Sequence, residues 1–346
     1  MHISNFFYDV PSELIAQEPL KKRAEARLLV VDRRNGKVIH DHFKNIGRYL
    51  PPQSVVVINN SKVIPARLLG HKERSGGKVE IFLLRQLEDG YSFETLLRPL
   101  KKIRVGDKVR FDKSSVVAEV VDYQKRIVRF SASGGSALGG NRKDILRKLS
   151  RIGHVPLPPY ITRPDTPADR KDYQTVYART PGSVAAPTAG LHFTKSLLDQ
   201  LKREGHAVKS VTLHVNFGTF GLVKVENITQ HKMHFEDYAV TPATQQAITK
   251  AKAAGRKVVA VGTTSCRVLE SVAKDGELKG RTNLFIYPGY QFRAVDGLLT
   301  NFHVPHSSLL MLVYAFGSID LMKKVYQEAI KEKYRFFSYG DVMLIL

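Results

Sequence analysis

Lys257-Val258-Val259-Ala260-Val261-Gly262-Thr263-Thr264-Ser265-Cys266-Arg267-Val268-Leu269-Glu270-Ser271-Val272 joins an apolar β-branched run, a glycine turn rich in hydroxyls and the opening of a helix. A strand apolar on both faces is a buried one. Pro242 to Ala254, just upstream, is helical in composition. Helix, buried strand, polar turn and helix make the βαβ grammar of a sheet with helices on its faces. The same texture appears far upstream, in a strand at Leu28 to Asp32 and a stronger one, Ser54-Val55-Val56-Val57-Ile58-Asn59-Asn60, that ends in turn formers.

Between these flanks, from Ala66 to about Arg142, the pattern is different. Lys78 to Leu84, Lys108 to Phe111, Val116 to Val121 and Arg126 to Phe130 are short strands, separated by turns such as Asp89-Gly90 and Val105-Gly106-Asp107. Close strand spacing without a long helical period predicts a small all-β barrel or sandwich. Ser131 to Gly140 reads as a flexible loop, and Arg142 to Arg151 as a short basic helix with Ile145, Leu146 and Leu149 at helical spacing. The expected architecture is an α/β main domain built discontinuously from residues 1–65 and 153–346. An all-β unit, residues 66–152, is inserted into it.

The 346 residues leave ample length for two domains. Lys plus Arg number 54 against 32 Asp plus Glu, a formal charge of +22 on a chain that is 43% hydrophobic. That apolar content excludes a disordered basic tail. Such an excess on a folded chain fits an anionic partner, nucleic acid first because phosphate neutralisation dominates affinity for it, or else a basic surface kept for solubility. Cys266 is the only cysteine, so an intrachain disulfide scaffold is excluded. The longest apolar run, Leu309 to Phe316, is far shorter than the roughly 20 residues that span a bilayer. The first residues lack the pattern of a signal peptide, and a soluble cytoplasmic protein is expected.

Several strings suggest chemistry. Gly262 to Arg267 sits where a helix N-terminus offers N–H donors to a carboxylate, phosphate or ribose hydroxyl; the plainer reading is helix capping by Thr264 or Ser265. Ala185-Ala186-Pro187-Thr188-Ala189-Gly190-Leu191-His192-Phe193-Thr194 is poor in bulky side chains, as a loop over a ligand would be. Thr194 reads as the N-cap of the helix carrying Leu197, Leu198 and Leu201. His192, His214, His231, His234, His303 and His306 crowd the C-terminal half. His231 and His234 are spaced for a metal pair on a helix, but Asn227 and Thr229 disfavour a helix there and no third ligand is fixed by spacing. Proton transfer or hydrogen bonding by neutral imidazole is the alternative. His214 and Asn216 would face one side of a strand. Asp341, after Gly340 at the start of a C-terminal strand, would hold a cation or hydroxyl in a cleft, while Phe336 and Phe337 are core residues or base-stacking ones.

These strings together resemble the S-adenosylmethionine:tRNA ribosyltransferase-isomerase family of queuosine biosynthesis. The resemblance runs from Phe7-Tyr8-Asp9-Val10-Pro11 through Asn59 to Leu68, Gly153 to Ile161, Asp172 to Ala178, Ala185 to Thr194, His231 to Glu236, Val261 to Arg267, Tyr287-Pro288-Gly289-Tyr290 and Thr300 to Pro305, to Ser338-Tyr339-Gly340-Asp341. Asn216, Ala24, Ala26 and Val342 depart from the family's usual residues.

The resemblance implies that the inserted unit is a six-stranded Greek-key barrel. It also implies that S-adenosylmethionine is consumed as a ribosyl donor to the aminomethyl group of 7-aminomethyl-7-deazaguanine (preQ1) at the tRNA wobble position, giving epoxyqueuosine with release of adenine and methionine. On that reading His214, His234, Glu236, His303 and Asp341 contain the acids and bases, while Gly262, Thr263, Thr264, Arg267, Thr188, Gly190 and His192 bind the donor, and no metal is expected. Arg98, Lys101, Lys102 and Arg104 of the barrel, with Arg142, Lys143 and Arg147 of the basic helix, would grip the anticodon arm of the tRNA. A monomer without membrane contact is expected. Two other readings stay open: a non-catalytic tRNA-binding protein, and a histidine-rich metal-dependent hydrolase.

Overall fold

The computed structural model describes residues 1–132, 142–216, 218 and 221–346, except for the side chains of 142–144. The Ser131 to Gly140 loop and the Arg142 and Lys143 side chains therefore lie wholly or mostly outside the described residues. Short 3-10 turns open the chain, followed by β1 (Arg27–Val31), β2 (Val38–His42), β3 (Val55–Asn59) and β4 (Ser61–Val63). Next come β5 (Arg67–Lys72), β6 (Lys78–Gln86), β7 (Ser92–Arg98), β8 (Lys108–Arg110), β9 (Val116–Asp122), β10 (Ile127–Ala132), α1 (Arg142–Ile152) and β11 (Gly153–His154). The remainder is α2 (Asp169–Asp172), β12 (Thr180–Ser183), α3 (Lys195–Arg203), β13 (Ala207–Leu213), β14 (Glu236–Val240), α4 (Pro242–Ala253), β15 (Val258–Val261) and α5 (Gly262–Asp275). It closes with β16 (Lys279–Thr282), β17 (Gly297–Asn301), α6 (Ser308–Gly317), α7 (Ile319–Lys331) and β18 (Val342–Ile345).

The main sheet has nine strands in the order β16-β14-β13-β3-β15-β17-β18-β1-β2, drawn from both flanks of the barrel. Its centre, β13-β3-β15-β17, is parallel. Alternate residues of the buried strands enter different cores, as the two-residue period of a strand requires. Val55, Val57, Val258, Ala260 and Leu298 pack with residues of α4 to α7, whereas Val56, Ile58, Val259, Val261 and Leu299 pack with Leu197, Leu198 and Leu201 of α3. This double covering is why these strands read as continuous apolar runs. Thr194 caps α3 as expected, its hydroxyl accepting from Leu197 N at 3.1 Å.

The inserted sheet closes on itself, since β5 pairs with both β6 and β8. Its six barrel strands are antiparallel, and the order β8-β5-β6-β7 is the Greek-key order. β11 then pairs with β5, and Gly153 lies so close to Pro65 that a Cβ there would stand 2.0 Å from the Pro65 carbonyl oxygen. The chain thus leaves and re-enters the main unit at neighbouring points.

The four barrel strands expected from turn spacing are present, but β5 and β7 were not foreseen. β5 holds Gly70, where a Cβ would lie 2.5 Å from the Arg110 carbonyl oxygen, so the glycine marks the closing seam rather than a turn. Gly70→Ala is expected to cost about 1–3 kcal/mol, seen as a lower denaturant midpoint; an unchanged midpoint would mean the seam relaxes freely.

Among the described residues, no helix is long and apolar enough to cross a membrane.

Candidate active site

A cavity of about 410 Å³ opens at the carboxyl ends of β13, β15 and β17, the position where open α/β sheets bind ligands. Its size falls within the range of small-molecule sites, roughly 300–1,000 Å³. Its wall is largely apolar, from Ala185, Ala186, Ala189, Val215, Leu222, Val304, Leu309 and Phe337. The polar groups come from Thr188, Thr263, Thr264, Thr300, Asn301, His303, Ser307, Ser338 and Tyr160. Among the described residues, no carboxylate lines it.

The turn after β15 sets one wall. Gly262 has φ +83°, a conformation that costs glycine little, and it carries the chain from strand straight into α5. Thr264 and Ser265 do not cap this helix: both lie inside its first turn, and no side chain caps it at all. The Thr264 Oγ1 is buried in the cavity wall without a hydrogen-bond partner. A ligand hydroxyl or carboxylate there would satisfy it, along with the open N–H groups of the first turn.

β17, paired beside β15, and the turn after it set a further part of the wall. Thr188 donates to Asn301 Oδ1 at 2.7 Å, tying the small-residue string to this strand. Thr300 Oγ1 and His303 Nε2 are 2.6 Å apart, and His303 N–H donates to the Tyr326 hydroxyl at 3.0 Å. Ring and backbone are therefore both held. Burial pushes the His303 pKa down to about 3, so the imidazole is neutral at physiological pH.

His303 is the only one of the five expected acid–base residues that lines the cavity. Asp341 is buried behind it. One carboxylate oxygen accepts from Arg27 N and the other from Arg335 N, each at 2.8 Å, while its carbonyl accepts from Asn301 Nδ2 at 3.3 Å. In place of a cleft ligand it is a clamp joining three distant segments. Glu236 and Arg267 form a buried ion pair one turn of α5 below Thr263. Glu236 also accepts from Asn216 N at 2.9 Å, and Arg267 Nε donates to the Leu284 carbonyl at 3.1 Å.

The remaining histidines are scattered. The His214 ring packs over Gly182, and His234 is exposed beside Gly218. No helix carries His231 and His234; Asn227 caps a short 3-10 turn that ends at Gln230, and the His231 ring packs against Phe285. Among the described residues no three His, Cys, Asp or Glu side chains gather as a metal-ligand set. His192 lies outside the cavity, against Phe43, and Gly190 is packed on Tyr177, where a Cβ would meet the hydroxyl at 1.9 Å. Tyr160, Thr300, Asn301 and Ser338 also line the cavity; all four stand in the strings that carry the family resemblance, but nothing local in those strings assigns them a role. Phe337 lines the cavity and Phe336 is core.

Burial also holds the His192 pKa down, to about 4. Both histidines bind a proton near pH 6.5 when unfolded but only near pH 3 to 4 when folded, so their contribution to stability is lost as pH falls from about 6.5. Stability should drop by on the order of 2–3 kcal/mol per histidine by pH 4.5. Denaturant titrations at pH 7.5 and 4.5 check this: His192→Gln should remove its share, and pH-independent midpoints would refute it.

On the barrel, Lys101, Lys102 and Arg104 line a basic groove with Lys72, Arg74 and Lys108. Arg98, mostly exposed, lines a mixed groove with Arg67, Arg163, Glu80 and Asp165 where the barrel meets residues 155–165. Pro159 stands in the walls of both that second groove and the main cavity. Arg147 is exposed on α1.

The family model for queuosine biosynthesis protein matches residues 3–345. The chain is 48% identical to an S-adenosylmethionine:tRNA ribosyltransferase-isomerase of Caldanaerobacter subterraneus subsp. tengcongensis and 46% identical to one of Staphylococcus aureus, with all of each chain covered. It is similar in structure to an S-adenosylmethionine tRNA ribosyltransferase of Thermotoga maritima, with a TM-score of 0.57, 35% identity, and 99% of this chain and 100% of that one covered. A barrel inserted into a doubly covered α/β sheet, a cavity at its strand ends and this whole-length match agree: the chain belongs to the queuosine biosynthesis protein family.

Proposed function

We propose that the protein transfers and isomerises the ribosyl moiety of S-adenosylmethionine onto the aminomethyl group of the 7-deazaguanine preQ1 at the tRNA wobble position, releasing adenine and methionine. Family membership supports the reaction. The observation that carries the site assignment is a cavity lined by both an uncapped helix N-terminus and one fixed neutral imidazole.

S-adenosylmethionine fits these residues by chemistry. The first turn of α5 suits its carboxylate or ribose hydroxyls, the apolar wall suits adenine, and the unpartnered Thr264 hydroxyl asks for a polar ligand atom. The sulfonium acidifies its neighbouring C5′ protons, so a positioned base is needed. We assign that part to His303. This part requires the tautomer in which Nε2–H donates to Thr300 Oγ1 and Nδ1 carries the lone pair. Asp341 and the Glu236–Arg267 pair act as positioning residues, and His214 and His234 remain candidates for activating the attacking amine. Gly262, Thr263, Thr264 and Thr188 are the donor contacts we retain. Arg267, Gly190 and His192 are not among the lining residues and are not kept as donor contacts.

In this reading residues 1–65 and 153–346 carry the chemistry and residues 66–152 the grip, with RNA running from the barrel grooves past Pro159 to the cavity. Arg98, Lys101, Lys102, Arg104, Arg142, Lys143 and Arg147 supply phosphate contacts, and the enzyme works as a cytoplasmic monomer without a metal. The test is to incubate the protein with S-adenosylmethionine and preQ1-bearing tRNA and assay free adenine. Adenine release that requires both substrates supports the assignment; release without tRNA, or none, overturns it. KM for tRNA should also rise steeply with salt, by a slope of about 0.7–0.9 per phosphate contact in log–log form, while KM for S-adenosylmethionine changes little. Equal weak slopes would reduce the +22 charge to surface.

A further inference from the structure

The Tyr287-Pro288-Gly289-Tyr290 string takes no part in the cavity above. It forms the lip of a second cavity, of about 550 Å³, lined by Lys274, Phe285, Tyr287, Tyr290 and Arg293 among others. We propose that this cavity binds an unpaired nucleotide of the RNA strand that flanks the reacting one, a proposal that rests on the tRNA reading of the main site.

The loop that forms it is held rigid from below. Glu270, fully buried in α5, accepts from the Tyr290 hydroxyl at 3.1 Å, Arg293 N at 3.0 Å, Ala294 N at 2.9 Å and Val295 N at 3.0 Å. Arg267, also in α5, holds the other end through the Leu284 carbonyl. A buried carboxylate with four donors fixes a surface loop at its two ends, so the cavity exists before any ligand arrives, and binding there costs little ordering.

The lining is aromatic and cationic. Phe285 and Tyr287 pack with ring centroids 5.0 Å apart, and both are partly exposed. Lys274 and Arg293 are exposed; neither makes an ion pair among the described residues, and no acid lines the cavity. Aromatic faces beside two uncompensated cations match a base with its phosphate, the combination by which single strands are bound without sequence readout. A purely apolar ligand would leave both cations unused, and a simple anion would leave the aromatic faces unused.

Position favours RNA over a free nucleotide. The first turn of α5 lines the reaction cavity and Lys274 near its last turn lines this one. Ten residues of helix separate Thr264 from Lys274, about 15 Å at 1.5 Å per residue. The two cavities thus lie at the two ends of α5, a straight-line span comparable to a few nucleotides of extended single strand.

The experiment uses the full chain, preQ1-bearing tRNA and S-adenosylmethionine. In the Lys274→Gln/Arg293→Gln double variant, KM for tRNA should rise at least tenfold. Its log–log salt slope should fall by about 0.7, the loss of one single-strand phosphate contact. Both kcat and KM for S-adenosylmethionine should stay as in the parent. Tyr287→Leu should raise KM for tRNA about 5- to 150-fold, the scale of one lost base stack, without changing the salt slope. Tyr287→Phe should restore it. KM within twofold of the parent for both the double variant and Tyr287→Leu would overturn the proposal. So would AMP binding that the double variant abolishes while KM for tRNA stays unchanged, since that would make the cavity a free-nucleotide site. If the parent releases no adenine, the reaction assignment fails by itself. Filter binding of the tRNA to the same variants then decides this site, with unchanged affinity counting against it.

Discussion

His303→Asn is expected to lower kcat for adenine release by about 10²- to 10⁴-fold, the usual contribution of a positioned acid or base. KM for tRNA should move little, because the barrel grooves lie apart from this side chain. The expectation rests on placement: His303 is the one imidazole in the cavity wall, its ring held by Thr300 and its backbone by Tyr326. Burial keeps its pKa at about 3, so it is already deprotonated throughout the working range. The wild-type kcat/KM profile for S-adenosylmethionine, which reports the free enzyme, should therefore show no acid limb near pH 6.5 from this residue. Thr300→Val leaves the imidazole but frees its ring, and should cost less turnover than His303→Asn. Turnover of His303→Asn within threefold of the parent would remove His303 from the mechanism and return the base to His214 or His234.

Breaking the Glu236–Arg267 pair should have the largest effect on folding, about 3–5 kcal/mol for Arg267→Met or Glu236→Leu alone, since either leaves a charge buried without its partner. The two side chains are 6% and 4% exposed, so water cannot compensate. The pair joins β14 to α5, and through Leu284 it also fixes the chain after β16. Replacing both by apolar residues should be far less damaging than the sum of the single changes, because the paired desolvation cost disappears along with the pair. Turnover should not recover in parallel, because the pair lies one turn below the donor-binding residues of α5. Denaturant midpoints of the two single variants and the double variant give the cycle. Strict additivity would show that the two groups are independent, and full recovery of turnover would remove their positioning part.

Much of the fold is legible along the chain because it is dictated by period. Val55 to Asn59 and Val258 to Val261 are apolar on both faces because helices cover both, and the glycine-containing turns of residues 89–107 announce the barrel. β5 and β7 escaped notice because their residues answer to partners rather than to a local pattern. Gly70 makes room for the Arg110 carbonyl, and Glu94 within β7 is paired with Arg85 on β6.

The site was legible as strings, not as roles. Glycine, hydroxyl residues and histidines at Gly262 to Thr264 and Thr300 to His303 could be picked out, and the cavity is built from them. Their neighbours were indistinguishable from them in sequence. Asp341, next to Gly340, looks like a free cleft carboxylate until the amides of Arg27 and Arg335 are seen to occupy it. His192 sits in the same string as Thr188, yet a 3-10 turn over Thr188–His192 sends one side chain to the cavity and the other to Phe43.

The sequence by itself determined the two-part architecture, the buried parallel strands, the basic character and the family, because periodicity, turn chemistry and ordered motifs are properties of neighbouring residues. Only the tertiary structure decided which titratable groups reach the ligand and which ones hold the walls. The cavity is assembled from segments as far apart as Tyr160 and Ser338, and a side chain's chemistry there depends on burial and on partners brought by other strands, which no local pattern encodes.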